Sequence, residues 1–505
     1  MKTYKYILLL LVSISIVRCS DLEEDPVGLL SPETYFTNKE SLQIAVNGVY
    51  TFVHDRYFLA RETGMALMLR SDMVGISDQG TRQERIDHDN FTDLPDNGNT
   101  RVAWPAMWEI VSSANLAISG AQFVELDDNE INPLIAEAYF LRAFAYYHIV
   151  RQFGAVPYIT EPVTDVDAAS NITKTSVDNI YKGIIDDLEF AKTWLPPTQS
   201  SRSLASKAAA SAYLSSVYLT RELWQDAFDE AKEIIDNKGD YQLDLEPDYQ
   251  NLWNFATVNS SKEPIFNLDY IGNVGIGNPN TDYIGPLSGI RGNSAYAHGT
   301  GWAVMAPEIE VYNRWNGKDY RKAVSLDTTM VDNGALKDFT QFNSVDARNQ
   351  NTPFIAKYNR MIGDNFGGSG RASEQNYQLM RYAEVLLIAA EAAVEIGDDA
   401  SATNYINQVR ARARNAAGVD HPNYPASTEP ADHQGSVTVN DVLEERRLEL
   451  CFEMKRWYDI VRRNLGPSVF GASGLEGEKL QFNTADDYLI AIPADEVLRN
   501  PNLGK

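Results

Sequence analysis

Asn132-Pro-Leu-Ile-Ala-Glu-Ala-Tyr-Phe-Leu-Arg-Ala-Phe-Ala-Tyr-Tyr-His-Ile-Val-Arg-Gln-Phe-Gly154 is the stretch on which the reading of this chain turns. Asn132-Pro133 has the form of an N-cap followed by proline at the first helical position, and Gly154 that of a stop. Between them Leu134 to Phe153 contains no breaker, which predicts a helix of ~30 Å at 1.5 Å per residue. Apolar side chains fall on nearly every side of it. Such a helix belongs among other helices, not on a surface.

Two later stretches predict paired helices at tetratricopeptide-like spacing. Leu214, Ser215 and Tyr218 precede Ala227, Ala231 and Ile234, while Ala389, Ala390 and Ala393 precede Ala402, Ile406 and Val409. The two sets share the offsets 0, 1, 4, 13, 17 and 20. Small residues at the crossing let two helices approach closely, and the larger ones fill the groove of the neighbouring unit. Gly397, followed by Asp398 and Asp399, supplies the turn and cap candidates of the second pair. A C-terminal helix is predicted from Asp441, with Glu444 three residues on as a capping box. It carries an apolar stripe of Leu443, Leu450, Met454, Trp457 and Val461. Beside this runs a charged stripe of Arg446, Glu449, Glu453 and Arg456, read as intrahelical and neighbouring ion pairs.

The chain has 505 residues and a formal charge of −26. That acidity gives no counterion-release drive toward nucleic acid and repels anionic headgroups, so membrane attachment has to be covalent. Lys2 and Lys5 precede an apolar run from Ile7 to Val17 that is too short to span a bilayer comfortably and fits a signal peptide. It ends at Arg18-Cys19-Ser20, which resembles a bacterial lipoprotein processing site. Arg18 departs from the small residue usual before such a cysteine. Acylation of Cys19 would provide the anchor. Loss of residues 1–18 removes Lys2, Lys5 and Arg18 and takes the charge from −26 to −29. The expected organisation is a signal peptide over 1–18, a lipidated cysteine and extended tether over 19–38, and a water-soluble body over 39–505.

Five blocks, in order, resemble the SusD/RagB family of nutrient-uptake lipoproteins. They are Glu137 to Pro157, Tyr377-Gln-Leu-Met-Arg-Tyr-Ala-Glu-Val-Leu-Leu-Ile-Ala-Ala-Glu-Ala392, and Ile406-Asn-Gln-Val-Arg-Ala-Arg-Ala413. Val442 to Arg462 follows, with Glu445-Arg-Arg-Leu-Glu-Leu450 and Arg456-Trp-Tyr-Asp459, and then Tyr488-Leu-Ile-Ala-Ile-Pro493 with Asn500-Pro-Asn-Leu503. The resemblance implies an all-α fold with four tetratricopeptide-like helix pairs in a superhelical scaffold, long irregular loops and at most minor β-structure. It further implies a lipid-anchored, surface-exposed outer-membrane protein that binds oligosaccharide or polysaccharide and delivers it to a SusC-type TonB-dependent transporter, without catalysis.

The residues themselves carry no catalytic or metal motif and call for no cofactor. The two cysteines, Cys19 and Cys451, cannot make a disulfide framework. No two of the six histidines stand at i, i+4, and there is no HExxH, nucleophile elbow or Walker loop. His148 reads as a core histidine, and Asp87-His88-Asp89-Asn90 as a solvated polar turn. Gly367-Gly368-Ser369-Gly370 reads as a flexible turn. A carboxylate pair could come from anywhere, so an all-α glycoside hydrolase stands as the enzyme alternative. A helical-repeat scaffold that binds only protein is the third reading.

Sugar binding needs aromatic faces plus planar hydrogen-bonding side chains. Two segments, 54–103 and 259–303, are rich in that mixture and show little helical period. Trp302, Tyr296, Tyr283, Arg291, Asn293, Tyr57 and Asp72 are the candidate ligand contacts. Trp302 stands between Gly299, Gly301 and Ala303, with no bulky neighbour in sequence. Tyr270, Asn278, Asn280, Asp282, His298, Phe58 and Phe91 belong to the same mixture. Trp104, Trp108, Trp315 and Trp457 read instead as packing residues.

Overall fold

In the computed structural model the long central helix is capped by Asp127, earlier than Asn132. The structure describes residues 31–272, 281–296, 299, 301–363, 372–414, 428–475, 477 and 479–504. Cys19, Asn278, Asn280, His298, His421 and Gly367 to Gly370 lie outside the described residues.

Eight helices make the scaffold: α1 (Lys39–Val53), α2 (Gly98–Gly120), α3 (Asp128–Phe153), α4 (Val177–Trp194), α5 (Lys207–Thr220), α6 (Trp224–Asp236), α7 (Tyr382–Ile396) and α8 (Asp399–Ala413). They pack in pairs, α1 on α2, α3 on α4, α5 on α6 and α7 on α8. Neighbouring pairs meet through α2–α3, α4–α5 and α6–α7. This is the all-α, tetratricopeptide-like arrangement the spacing predicts. Of the twelve matched positions, eleven are buried and Tyr218 is half-buried. Gly397 takes the left-handed conformation after α7, and Asp398 caps α8 by accepting from the Ser401 amide at 3.1 Å. Only a residue without a Cβ adopts that φ of 80° without cost.

Two expected boundaries are corrected. The central helix α3 starts about one turn before Asn132, because Asp127 accepts from the Asn129 and Glu130 amides and Asp128 and Glu130 place negative charge on the first turn. Pro133 is therefore inside α3. The predicted single C-terminal helix is two, α9 (Val439–Glu449) and α10 (Arg456–Arg462). Thr438, not Asp441, caps α9, and Asp441 is the reciprocal partner in the box. Between them Phe452 and Met454 have φ of 63° and 62°. A helix cannot pass through such residues.

Strands are few and pair only in twos: β1 (Val74–Ile76) with β3 (Met305–Pro307), β2 (Pro264–Leu268) with β8 (Tyr377–Arg381), β4 (Leu326–Asp327) with β7 (Phe354–Ile355), and β5 (Thr329–Asp332) with β6 (Ala335–Asp338). All are antiparallel. They belong to the layer of loops and short helices laid against the scaffold. No described helix is long and apolar enough to cross a membrane. The segment 54–103, expected to lack helical period, holds the short helices Glu62–Leu69 and Gln83–Asn90 and the start of α2. Neither short helix has a side-chain cap, and tertiary packing, which buries Glu62–Leu69 throughout, holds them instead of a long apolar stripe.

The break between α9 and α10 turns the charged stripe inward. Its charges pair with neighbouring elements, as one half of the expectation has it, and not within one helix, which corrects the other half. Arg381 at the end of β8 donates to Glu263 at 2.6 Å, Glu449 at 2.5 Å and Glu453 at 2.9 Å. Arg412 of α8 meets Glu263 and Glu449. Arg321 reaches Asp319, Glu445 and Glu449 at 2.6–2.9 Å. Lys357 pairs with Glu453 at 2.8 Å and also donates to the Tyr249 hydroxyl and the Cys451 carbonyl. All these side chains are buried. Burial alone would raise the Glu453 carboxyl, but Arg381 and Lys357 outweigh it and hold it below 4.5. Removing one partner strands a buried charge, so Arg381→Met is expected to cost about 3–5 kcal/mol in denaturant unfolding. The loss caused by Glu453→Gln should be complete above pH 4.5 and shrink as pH falls below it, since a lowered carboxyl pKa contributes stability only while ionised.

Candidate functional site

The chain leaves α1 at His54 and turns at once, because the Asp55 carboxylate accepts from the Tyr57 amide at 2.7 Å. Arg56 lies over the Tyr57 ring at 4.8 Å and donates to its hydroxyl at 3.0 Å. From the other segment, the Tyr283 amide donates to the Ala60 carbonyl at 3.0 Å, which joins the two stretches. Arg61 covers the Tyr283 ring at 4.8 Å and pairs with Glu62 at 3.2 Å. Tyr283 meets Trp302 with ring centroids 5.9 Å apart. Arg56 bridges the tyrosines. Burial would lower its pKa, but the Tyr57 and Tyr283 hydroxyls prevail and raise it. Tyr57, Arg56, Arg61 and Trp302 are half-buried, so one edge of the cluster meets solvent.

Trp302 is held by backbone rather than by a helix. Its amide donates to the Pro286 carbonyl at 2.7 Å, and the Ala303 amide donates to Gly289 at 3.0 Å. A Cβ on Gly301 would fall 2.2 Å from the Gly289 carbonyl, so only glycine fits this crossing. Two residues on, β3 pairs with β1 and anchors the loop to the body.

Of the seven candidate contacts, the structure brings Tyr57, Tyr283 and Trp302 together. Tyr283 is buried at 6% exposure and presents only an edge. The other four make their contacts elsewhere. Both Asp72 oxygens accept from Arg456, at 2.7 and 2.8 Å, tying α10 to the 54–103 segment. Asn293 is buried and caps the Val331 and Ala295 amides. Tyr296 is buried in a second small core with Ile290, Met330, Phe342 and Phe354, its hydroxyl on Asp327 at 3.0 Å. Arg291 pairs with Asp346 at 3.0 Å. Phe58, Phe91 and Tyr270 are core rings, and Asp282 is buried against Ser373 with its carboxyl pushed up to about 6 by burial. Arg56 and Arg61 were not among the candidates. Their signal was adjacency to Tyr57, which is indistinguishable in sequence from ordinary surface arginine.

The packing residues behave as read. Trp104, Trp315 and Trp457 are buried, and Trp108 packs half-buried against Tyr146. His148 is buried and its Nδ1 lies 2.8 Å from the Tyr458 hydroxyl, with burial holding its pKa well below the usual value. His88 corrects the expected solvated turn. It is buried within the helix Gln83–Asn90 and sits 2.8 Å from Asp93, which also receives Arg70. Among the described residues no group of three or more His, Cys, Asp or Glu side chains could hold a metal.

The chain is 45% identical over all 505 of its residues, and over 99% of the relative, to SusD-like protein P2 of Formosa agariphila. It belongs to the SusD family. The SusD family model matches residues 309–504, and a second model, described as starch-binding associating with outer membrane, matches residues 22–219. A SusD-like protein of Bacteroides ovatus is 23% identical over 88% of this chain and 79% of its own length. Among solved structures, a SusD homolog from Bacteroides thetaiotaomicron has a TM-score of 0.79 at 21% identity, covering 93% of this chain and 97% of its own. Surface glycan-binding protein A from the same organism, in complex with laminarihexaose, has a TM-score of 0.74 at 20% identity, covering 92% and 99%. These two share the SusD fold.

Beneath the Trp302 loop, Glu308 follows β3 and fills the space over Gly75, where a Cβ would fall 2.2 Å from its Oε1. Burial, then the charge of neighbouring Asp89, push the Glu308 carboxyl up to about 7, against the pull of Lys479. An acid raised in the folded state contributes stability that is full below its unfolded value of 4.5 and lost as pH rises through about 7. Thermal melts from roughly pH 5 to pH 8 should show a fall in melting temperature, shared with Asp282, that Glu308→Gln reduces. An equal fall in the variant would refute this placement of the charge.

Proposed function

We propose that this SusD-family chain captures oligosaccharide at the Tyr57–Tyr283–Trp302 cluster and passes it to a SusC-type TonB-dependent transporter. In this reading Cys19 carries the lipid anchor, residues 19–38 form the tether, and the body over 39–505 stands at the cell surface. The observation that carries the reading is the convergence of two separate segments on one solvent-edged group of rings and guanidinium planes. The apolar face of a sugar packs on an aromatic ring, while its equatorial hydroxyls take hydrogen bonds from planar donors such as arginine. The laminarihexaose complex of the related surface glycan-binding protein A, and a further neighbour described as a laminarin-binding SusD-like protein, support a glycan as the ligand.

Asp55 accepts from the Tyr57 amide and Glu62 pairs with Arg61, engagements that support a binding site rather than a hydrolytic one. A ligand handed onward has to leave again, and stacking with a few exposed hydrogen bonds gives the modest affinity that transfer requires.

Native gels containing candidate polysaccharides, with the same mixtures assayed for new reducing ends, test this. Retardation without new reducing ends is expected. Trp302→Ala should abolish the retardation and cost less stability than the about 3–5 kcal/mol of a fully buried tryptophan. New reducing ends would replace the binding reading with hydrolysis. No retardation by any glycan would leave a protein-binding scaffold.

A further inference from the structure

A second cleft lies between the short helices Ile309–Arg314 and Tyr320–Ser325 and the chain that leads from β4 into β5. Its volume is about 620 Å³, within the ~300–1,000 Å³ of small-molecule sites. Gln250, Tyr312, Lys322, Thr328, Thr329 and Arg360 line it. Unlike the groove beside Trp104 and Trp108, which is mainly apolar, its walls are largely polar.

Lys322 is the unusual member. It is 9% exposed, yet its ammonium has one acceptor, the Trp315 carbonyl at 2.9 Å, and otherwise lies 3.8 Å over the Tyr312 ring. An ammonium has three protons to donate. The nearby carboxylates are already engaged. Both Asp319 oxygens take Arg321, and Asp327 takes Arg360 at 2.6 Å and the Tyr296 hydroxyl at 3.0 Å. The cleft is thus lined by two cations and one carboxylate in a chain whose formal charge is −26. A desolvated cation without a counter-ion is costly, and burial does lower the Lys322 pKa, with Asp319 too weak to restore it.

We propose that this cleft is a separate ligand site for an acidic saccharide, with Lys322 as counter-ion to its carboxylate or sulfate ester. The Tyr312 ring holds that charge at the cleft wall, and the Thr328, Thr329 and Gln250 side chains offer partners for hydroxyls. The saccharide part of the assignment rests on the glycan-binding reading above, whereas the anionic part rests on Lys322 alone. The net acidity of the chain argues against acidic polymers only where no local positive charge reverses it, and here one does.

The test is ligand-observed NMR of the full chain with D-glucuronate, D-galactose 6-sulfate, D-glucose, acetate and inorganic sulfate. At least one acidic sugar is expected to bind more tightly than D-glucose and than its own simple anion, and which one binds tells carboxylate from sulfate ester. Lys322→Met should weaken that sugar about tenfold or more, while Lys322→Arg retains it, because the charge-assisted hydrogen bond is lost only in the first. Thr328→Val, at the half-buried wall, gives a second readout if Lys322→Met folds poorly, and should also weaken binding. Equal binding of D-glucose, unchanged binding by a folded Lys322→Met, or no binding of either acidic sugar would overturn the site. Inorganic sulfate or acetate binding as tightly as the sugar would overturn its saccharide character. These probes report on Lys322 variants, so a negative gel result at Trp302 is read separately from failure here.

Discussion

The buried ion network around Glu449 is the constraint on which the rest of the structure depends. Arg321, Arg381, Arg410, Arg412 and Lys357 face Glu263, Glu445, Glu449, Glu453 and Asp319, so that every charge finds an opposite. Such a network contributes little net stability over a well-packed apolar core, but any missing partner is expensive. Its geometric demand is therefore its use. The partners come from β8, α8, α9, the turn after α9, the short helix Tyr320–Ser325 with its cap Asp319, the chain just after β7 and the segment before β2. Satisfying them all admits one placement of the loop layer on the last helix pair.

That placement carries outward. The short helix that brings Arg321 into the network also presents Lys322 to the polar cleft. Asp282 is held by Ser373 and Tyr377, close to the start of β8. On the opposite side, Arg456 and Asp72 tie α10 to the segment that bears Arg56, Tyr57 and Arg61. The aromatic cluster thus stands on irregular chain fixed by charge pairs and backbone crossings, as at Gly301, whereas the polar cleft stands on two short helices, one of them held by the Arg321 ion pairs.

Much of the scaffold was legible in the order of residues. Small residues at 227, 231, 389, 390, 393 and 402 and a cap at Asp398 describe a local pattern that repeats, and a helix pair is mostly a local object. The boundaries that moved did so for reasons beyond the window. Asp127 outcompeted Asn132 because its side chain closes the first turn of α3, and α9 ended early because Glu449 and Glu453 had to reach buried arginines on different elements. The aromatic loops were harder. Trp302 and Tyr57 kept an edge to solvent, whereas Tyr296, Phe58 and Tyr270, drawn from the same compositional mixture, became core.

By itself the sequence determined the helical class, the repeated pairs, the family blocks and the expectation of an exported, acidic, non-catalytic chain, because periodicity, capping and motif order are short-range properties. Only the tertiary structure decided which rings meet, that Arg56 and Arg61 stand over them, that Asp72 and Asn293 are spent on the frame, and that Lys322 is buried without a carboxylate. The physical reason is that a side chain's partners lie up to hundreds of residues away, and burial belongs to the assembled surface rather than to any segment of it.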